Sequence, residues 1–483
     1  AVCAAMCRKI TFTRPQAISP RAVKRGGAGK GEIQMGRLFG TDGVRGVAGE
    51  DMTCELAMDI GRAAATVLTY GRRRRPLVVL GKDTRLSSDM LGAALSAGLC
   101  SVGADVIDLG VVPTPAVAYL VGKYKADAGV MISASHNPYQ FNGIKIFGGE
   151  GFKLPDALED QIEALVLDEA AIPLVGGDRL GQITHCTTAV RDYIEHLKAT
   201  VPYSLEGVKV AVDCANGSAS ATARLLFEEL GADAVILSET PDGVNINTNC
   251  GSTHMQALQA YVKEHSDIAA GVAFDGDADR CLFVDEAGEV VDGDFIMAIC
   301  GLDLARRGKL RRSTIVGTVL TNMGFSRFCE ENGLKFAATK VGDRYVLEEM
   351  ELEGYVLGGE QSGHVIFRDF ATTGDGQLTA IQLLCLMKRS GRPLSELARV
   401  MRRMPQVMVN VTVSKEGKLQ FYNNDAIKTA CADAKDRLGS HGRVLVRVSG
   451  TEPLVRVMVE GEDEAEIGTI ARELAQLVEK ELA

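Results

Sequence analysis

The chain has 483 residues, 46% of them hydrophobic and 24% charged, and a formal net charge of −10. That length predicts three or four domains with a sizeable core, at roughly 100–200 residues per domain. No apolar run approaches the ~18 residues needed to cross a bilayer, and an acidic body does not suit a phosphate backbone. Neither a membrane nor a nucleic acid is therefore expected as a partner. Twelve cysteines are scattered from Cys3 to Cys431 without a CxxC pair, so neither a zinc site nor a disulfide framework is signalled. They read as small buried hydrophobes in a reducing compartment, the cytoplasm.

Residues 1–34 stand apart, with seven Lys/Arg, one acid and no sustained period. The rest of the chain then carries −16. An organelle transit peptide shares this basic, acid-poor composition. The preferred expectation is translated leader outside the fold, because Lys30-Gly31-Glu32 can be encoded by a purine-rich string like a bacterial ribosome-binding site. Met35 would then be the natural start.

Patterned sequence begins at Met35. Three segments repeat the order apolar strand, polar turn, helix, glycine step, strand. Pro76–Gly81 leads to a helix near Ser88–Cys100 and the strand Val106–Leu109. Val208–Asp213 leads to a helix near Ala219–Leu230 and the strand Ala234–Leu237. Ser313–Leu320 leads to a helix near Gly324–Asn332 and the strand Lys335–Ala338. Such alternation predicts α/β units with parallel strands. The end of the chain differs. Strands at Gln406–Val413, Gly442–Val448 and Leu454–Glu460, with helices near Asp425–Leu438 and Ala465–Glu481, predict a small α+β domain.

Four loops carry chemistry. The first lies in MISASHNPYQFNGIKIF, from Met131 to Phe147, where Ser135 stands beside His136. Neighbours in extended chain point to opposite faces, so His136 is expected to be badly placed as a base for Ser135. The glycines of a G-x-S-x-G nucleophile elbow are also missing. The second loop is Phe274-Asp275-Gly276-Asp277-Ala278-Asp279-Arg280. Carboxylates at i, i+2 and i+4 around a glycine can converge on one point, and three without His or Cys suit hard Mg²⁺ better than zinc. A calcium EF-hand is disfavoured because Arg280 stands where its glycine belongs and the flanks read as strands. An isolated DxDxD can equally be an acidic surface turn, but apolar runs on both sides argue against that here. A Mg²⁺ cluster needs a ligand to act upon, and phosphate is the natural one. Ser135, on a loop ended by Pro138, can carry that phosphoryl group, with Arg280 neutralising further charge.

The third loop, Gly358–His364, gathers Glu, Gln, Ser and His among glycines, donors and acceptors suited to sugar hydroxyls. By itself it is equally a solvated glycine-rich turn. The fourth, Arg447-Val448-Ser449-Gly450-Thr451-Glu452-Pro453 with Arg456 behind it, packs a guanidinium, two hydroxyls and a backbone N–H into one turn. That is anion-binding chemistry, though alone it is only a polar turn between strands.

These four loops in this order resemble the α-D-phosphohexomutase superfamily, over essentially the whole chain from Met35. The opening Phe39–Gly46 (FGTDGVRG), the GEQSGH of the sugar loop and Lys340-Val341-Gly342-Asp343-Arg344 are similar to its glucosamine branch. The resemblance implies three similar α/β domains with mixed and parallel sheets and a smaller C-terminal α+β domain, all lining a central cleft. Boundaries are expected at 35–187 for a phosphoserine domain, 188–288 for a metal domain, 289–404 for a sugar domain and 405–483 for a phosphate domain. It implies interconversion of glucosamine 6-phosphate and glucosamine 1-phosphate in the cytoplasm, towards UDP-N-acetylglucosamine and the cell wall. Glucosamine or glucose 1,6-bisphosphate would serve as intermediate or activator. By position, phosphorylated Ser135 with Asp275, Asp277 and Asp279 would hold Mg²⁺. Arg280, Glu360 and Ser362 would contact substrate, and Arg447, Ser449, Gly450, Thr451 and Arg456 would hold its distal phosphate. Arg45, His136 and Lys145 would lie near the phosphoserine, with Lys145 or His364 moving protons. A mobile C-terminal clamp hinged near Met404-Pro405 is expected, and a homodimer is compatible with the family. The alternatives are a mutase of glucose or mannose phosphates, a metal-dependent phosphatase using Ser135, and a non-catalytic sugar-phosphate sensor.

Overall fold

The computed structural model describes residues 38–40, 42–69, 74–168, 172–449 and 453–482. The expected leader and the phosphate-loop residues Gly450 and Thr451 lie outside the described residues.

The first sheet comprises β1 (Val44–Val47), β2 (Leu77–Lys82), β3 (Asp105–Val111), β4 (Ala128–Ile132), β5 (Phe141–Gly148) and β6 (Ile183–His185), in the order β1-β5-β4-β2-β3-β6. The second contains β7 (Lys209–Asp213), β8 (Asp233–Leu237), β9 (Ala270–Phe274), β10 (Cys281–Asp285) and β11 (Val290–Val291), ordered β11-β10-β9-β7-β8. The third runs β13-β12-β14-β15, from β12 (Thr314–Thr318), β13 (Lys335–Thr339), β14 (Leu357–Gly359) and β15 (Val365–Phe367). A fourth, antiparallel sheet joins β16 (Gln406–Thr412), β17 (Gly442–Val448) and β18 (Leu454–Gly461) in the order β16-β18-β17.

The repeat read from the sequence continues one step further than expected. Each of the first three sheets holds the same four-strand unit, β3-β2-β4-β5, β8-β7-β9-β10 and β13-β12-β14-β15. Its first three strands are parallel and its last is antiparallel. The third strand carries a glycine opposite the third residue of its parallel neighbour: Gly129 faces Val79 of β2, Gly271 faces Ala211 of β7 and Gly358 faces Val316 of β12. A Cβ at these glycines would lie 2.4 Å from Val121, 3.0 Å from Leu258 and 2.7 Å from Met350 respectively. Those side chains belong to the second crossover helices, Thr114–Lys123, Gln256–Glu264 and Asp343–Glu353. Each unit thus uses a missing side chain to let a helix seat on the sheet.

Parallel strands covered on both faces are continuously apolar, and β4 and β9, Ala-Gly-Val-Met-Ile and Ala-Gly-Val-Ala-Phe, are buried along their whole length. One continuous core joins the three units through residues such as Val79, Phe147, Val212, Phe274, Ile315 and Leu357. The C-terminal domain has its own core, around Val411, Val457 and Ile470. It meets the third unit through polar contacts. Glu460 accepts from Met323 N–H at 3.0 Å, Arg443, itself paired with Glu460, donates from Nη1 to Val319 O at 3.2 Å, and Asn322 bonds both the N–H and the C=O of Met404.

Two elements differ from expectation. The helix expected near Ala219–Leu230 is split into a 3₁₀ turn, Ser218–Ala221, and a helix, Ala223–Glu229. Ser220 and Thr222 hydroxyls bond Gly217 O and Ala219 O, the local competition with helix bonding that these side chains offer. A short helix at Lys415–Gln420, capped by Ser414 accepting from Gly417 N–H at 3.0 Å, was not anticipated. All ten cysteines among the described residues are free of disulfides, six of them buried. No helix among those residues is long and apolar enough to cross a membrane.

Candidate active site

Strand ends decide where the chemistry falls. In each unit the loop between the third parallel strand and its antiparallel partner emerges at the carboxyl end of the sheet, where α/β folds place ligands. The serine loop follows β4, the metal loop β9 and the sugar loop β14. Three separate sequence motifs thus occupy one topological position.

Ser135 is 1% exposed and sits at φ +51°. Its hydroxyl donates to Asp275 Oδ2 at 2.6 Å. This conformation corrects the expectation about His136. The argument from opposite faces assumed extended chain, but a left-handed Ser135 turns both side chains to one side, and Ser135 Oγ lies 3.3 Å from His136 Nδ1. Arg280 Nη1 donates to the same Nδ1 at 3.1 Å. Burial, with the charges of Arg280 and Arg45, lowers the imidazole to about 4, so it is neutral at neutral pH.

Asp275, Asp277 and Asp279 are buried, with ligand atoms all within 4.8 Å of one another. Asp277 Oδ2 accepts from Thr114 Oγ1 at 2.6 Å and from Lys145 Nζ at 2.8 Å. Asp277 Oδ1 and Asp279 Oδ1 have no hydrogen-bond partner. A buried acceptor without a donor is costly, and two of them side by side fit a cation. Charge agrees. Carboxyl groups outnumber the permanent cations here, six (Asp42, Asp275, Asp277, Asp279, Asp343, Glu360) to four (Arg45, Lys145, Lys153, Arg280). Burial, then the charges of Asp279 and Asp277, push the Asp275 carboxyl well above the usual range. Burial acts the same way on Asp279, but Lys145, His364 and Arg280 outweigh it and hold that carboxyl well below. All-oxygen donors of this kind make a metal-binding cluster for a hard divalent ion.

Behind the cluster runs a closed ring of charged and polar groups drawn from all three units. Asp42 Oδ2 lies 3.3 Å from Lys145 Nζ, which lies 3.3 Å from Asp279 Oδ2. His364 Nδ1 is 3.7 Å from that oxygen, and its Nε2 is 3.5 Å from Asp343 Oδ2. Lys153 pairs with Asp343 and with Asp42, closing the ring. Burial would lower Lys145, but Asp277, Asp42 and Asp279 outweigh it and raise its pKa, so it stays protonated. His364, 3% exposed, also accepts from Gly374 N–H at 3.0 Å and so braces Asp279 from behind. Arg45 pairs with Asp42 beside the ring.

In the sugar loop, Glu360 Oε1 accepts from Gly342 N–H at 3.0 Å, and Ser362 is exposed. On the C-terminal sheet, Arg447 and Arg456 stand directly opposite each other across β17 and β18. Burial and Arg456 lower the Arg447 pKa. Like charges in register are unfavourable, an arrangement suited to a shared anion. Ser449, at the end of β17, is 3% exposed.

Sequence reasoning passed over Asp83, Arg85, Thr114, Lys153 and Asn247, and read Asp42 only as part of a branch marker. Asp83-Thr84-Arg85 directly follows β2, so the strand-end rule could have flagged it. Arg344 was read only as part of a branch marker. It reaches the first unit, donating to Leu154 O at 2.9 Å and lying 3.4 Å from Glu159.

Residues 36–172, 191–288 and 292–404 match the models of the phosphoglucomutase/phosphomannomutase alpha/beta/alpha domains I, II and III, and residues 408–477 match that family's C-terminal domain. The chain is 54% identical over 449 residues to a phosphoglucosamine mutase of Caldanaerobacter subterraneus, covering 93% of this chain and 100% of the relative. Among solved structures it is similar to a phosphoglucomutase/phosphomannomutase family protein of Burkholderia thailandensis, with a TM-score of 0.77, 26% identity and coverage of 92% and 98%. The N-acetylphosphoglucosamine mutase of Aspergillus fumigatus, solved with GlcNAc-6P and magnesium, shares the fold at a TM-score of 0.67 and 17% identity, with coverage of 92% and 96%.

Proposed function

Because this chain belongs to the phosphoglucosamine mutases of the phosphohexomutase superfamily, we propose that it interconverts glucosamine 6-phosphate and glucosamine 1-phosphate through phosphorylated Ser135. One observation carries the reading. The Ser135 hydroxyl lies 2.6 Å from Asp275 of a carboxylate cluster whose remaining oxygens include two without hydrogen-bond partners. A nucleophile and a cation site meet there across two domains.

In the forward direction Arg447, Arg456, Ser449, Gly450 and Thr451 grip the 6-phosphate, while Glu360 and Ser362 meet ring hydroxyls. The sugar O1 attacks the phosphorus on Ser135. The new P–O1 bond forms as the P–Oγ bond breaks, the O1 proton passes to the protein, and the freed Oγ gains a proton. The resulting 1,6-bisphosphate turns over in the cleft. Ser135 Oγ then attacks the phosphorus at O6: the P–Oγ bond forms as the P–O6 bond breaks, the serine proton passes to the protein and O6 gains a proton, and glucosamine 1-phosphate leaves with the enzyme phosphorylated again. Lys145, Arg45 and Arg280 supply positive charge around the transferring group. Lys145, being protonated, suits the acid side of the proton traffic. A bound divalent cation, Mg²⁺ in this reading, supplies neutralisation of phosphoryl oxygens, and Asp275, Asp277, Asp279 and Ser135 would hold it. The product serves amino-sugar nucleotide and cell-wall synthesis in the cytoplasm.

The test is a ³¹P NMR time course with Mg²⁺ and a trace of sugar 1,6-bisphosphate, in which glucosamine, glucose and mannose 6-phosphates compete. The glucosamine resonance should move to the 1-phosphate position first. Release of inorganic phosphate alone would show a phosphatase instead.

A further inference from the structure

Ser135 holds a left-handed backbone, and the loop around it turns several carbonyls toward one point. One buried side chain reaches four of them. Arg85, with no side-chain exposure, donates from Nη2 to Ser135 O at 2.8 Å and Asn137 O at 2.9 Å. Its Nη1 donates to Pro138 O at 2.5 Å and Phe141 O at 3.0 Å. Its Nε donates to Asp83 Oδ2 at 2.8 Å, so all five N–H donors of the fork are used. Asp83 Oδ2 also accepts from Ser133 Oγ at 2.6 Å, and Ser133 Oγ accepts from Ser135 N–H at 2.9 Å. The nucleophile's amide and carbonyl are thereby tied to one ion pair.

The second domain reaches the same carbonyl. Asn247 Nδ2 donates to Ser135 O at 2.9 Å and to Asn137 O at 3.1 Å. Gly276 of the metal loop packs against this junction, where a Cβ would lie 2.5 Å from Ser135 O and 2.8 Å from Asn247 Nδ2. Thr84 and Leu86, the neighbours of Arg85, bond Asn216 O at 2.6 Å and Gly243 O at 2.9 Å in the second domain. The chain on both sides of Arg85 is therefore stitched to the domain that carries the carboxylates.

We infer that Arg85 and Asn247 are positioning residues for phosphoryl transfer, a clamp from two domains on the Ser135 carbonyl that registers the serine hydroxyl against the metal loop. The inference rests on Ser135 being the nucleophile. Its physical basis is the steepness of transfer rates with geometry, since a displacement of about 1 Å can cost about a hundredfold. A lysine ammonium keeps the charge but not the planar fork that spans four carbonyls. The grip on the sugar phosphate lies on other loops and is left intact.

The experiment measures steady-state and single-turnover transfer from the phosphorylated enzyme, together with melting, for Arg85→Lys, Asn247→Ala and the double variant, with Ser135→Ala alongside. Expected are a fall in kcat of about a hundredfold for Arg85→Lys and about tenfold for Asn247→Ala, with KM for glucosamine 6-phosphate within about twofold. The double variant should lose less than the product of the two, because both act on one carbonyl. Wild-type kcat in folded Arg85→Lys and Asn247→Ala would overturn the inference. So would a loss that appears in KM while kcat holds. If Arg85→Lys does not fold, Asn247→Ala decides alone, and a wild-type kcat there overturns the clamp. Turnover retained by Ser135→Ala would instead sink the nucleophile reading. With Ser135→Ala inactive and the other variants at the wild-type rate, only the clamp fails.

Discussion

The serine loop and the metal loop occupy the equivalent corner of two copies of the four-strand unit, yet they treat their polar atoms in opposite ways. In the serine loop the carbonyls of Ser135, Asn137, Pro138 and Phe141 all receive donors from Arg85. In the metal loop the backbone is equally well held, with Asp277 O taking Thr114 N–H, Gly276 O taking Ser218 N–H and Ala278 O taking Gly376 N–H. Its side chains are not, since Asp277 Oδ1 and Asp279 Oδ1 stay without hydrogen-bond partners. A saturated loop can present one hydroxyl in one place. A loop with bare oxygens stores unfavourable electrostatics that an ion relieves. The difference separates a group that must be aimed from a group that must bind.

The largest test of this contrast is Asp277→Asn. Losing the charge of a carboxylate with one bare oxygen should lower turnover by about a thousandfold, given the several kcal/mol a metal contributes to transferring charge. Melting scans sharpen the result. Mg²⁺ at about a hundred times its Kd should stabilise the wild type by about 2.7 kcal/mol and the variant far less, while metal-free melting holds. Equal Mg²⁺ stabilisation of both proteins would remove the meaning given to the bare oxygens.

A smaller effect is expected where the two loops touch. Gly276→Ala puts a methyl group 2.5 Å from Ser135 O, and such overpacking costs about 1–3 kcal/mol. It should lower kcat about tenfold or more by pushing the loops apart, with little change in KM. Unchanged kcat would mean that their register does not matter.

The mildest test uses a bare oxygen outside the cluster. Asp294 Oδ1 is also buried without a hydrogen-bond partner, but Asp294 lies outside the three-carboxylate cluster, and burial together with Asp292 raises its carboxyl to about 8. Here a proton relieves the burial, where a cation would relieve the cluster. Its folded pKa exceeds its unfolded value, so the folded state holds the extra proton and stability falls as pH rises from about 4 to about 8. Asp294→Asn should therefore stabilise the protein clearly more at pH 8 than at pH 4, read from denaturant melts at both. A stabilisation that does not depend on pH would contradict this assignment.

What was legible in the sequence follows from distance along the chain. Asp275, Asp277 and Asp279 fall within one turn, so their convergence is a local matter. The same holds for Ser135 with Pro138 and for Arg447 with Ser449. Arg85 reaches Ser135 across 50 positions, Asn247 across 112, and Lys153 reaches Asp343 across 190. No periodicity encodes such separations. The wrong expectation about His136 has a related origin, because the left-handed turn at Ser135 is held by distant donors from Arg85 and Asn247 as well as by its neighbour Ser133.

The sequence by itself determined the alternation of strands and helices, the three repeated units with their smaller appendage, and the residue types of four loops. Those are properties of short stretches: apolar runs, glycine steps, clustered carboxylates. The tertiary structure alone decided that three loops share one topological corner, that two aspartate oxygens go without donors, and that one arginine holds the Ser135 loop. Each of these is a relation between sheets packed on one common core, and the spacing of residues along a chain does not specify which strand ends that core brings together.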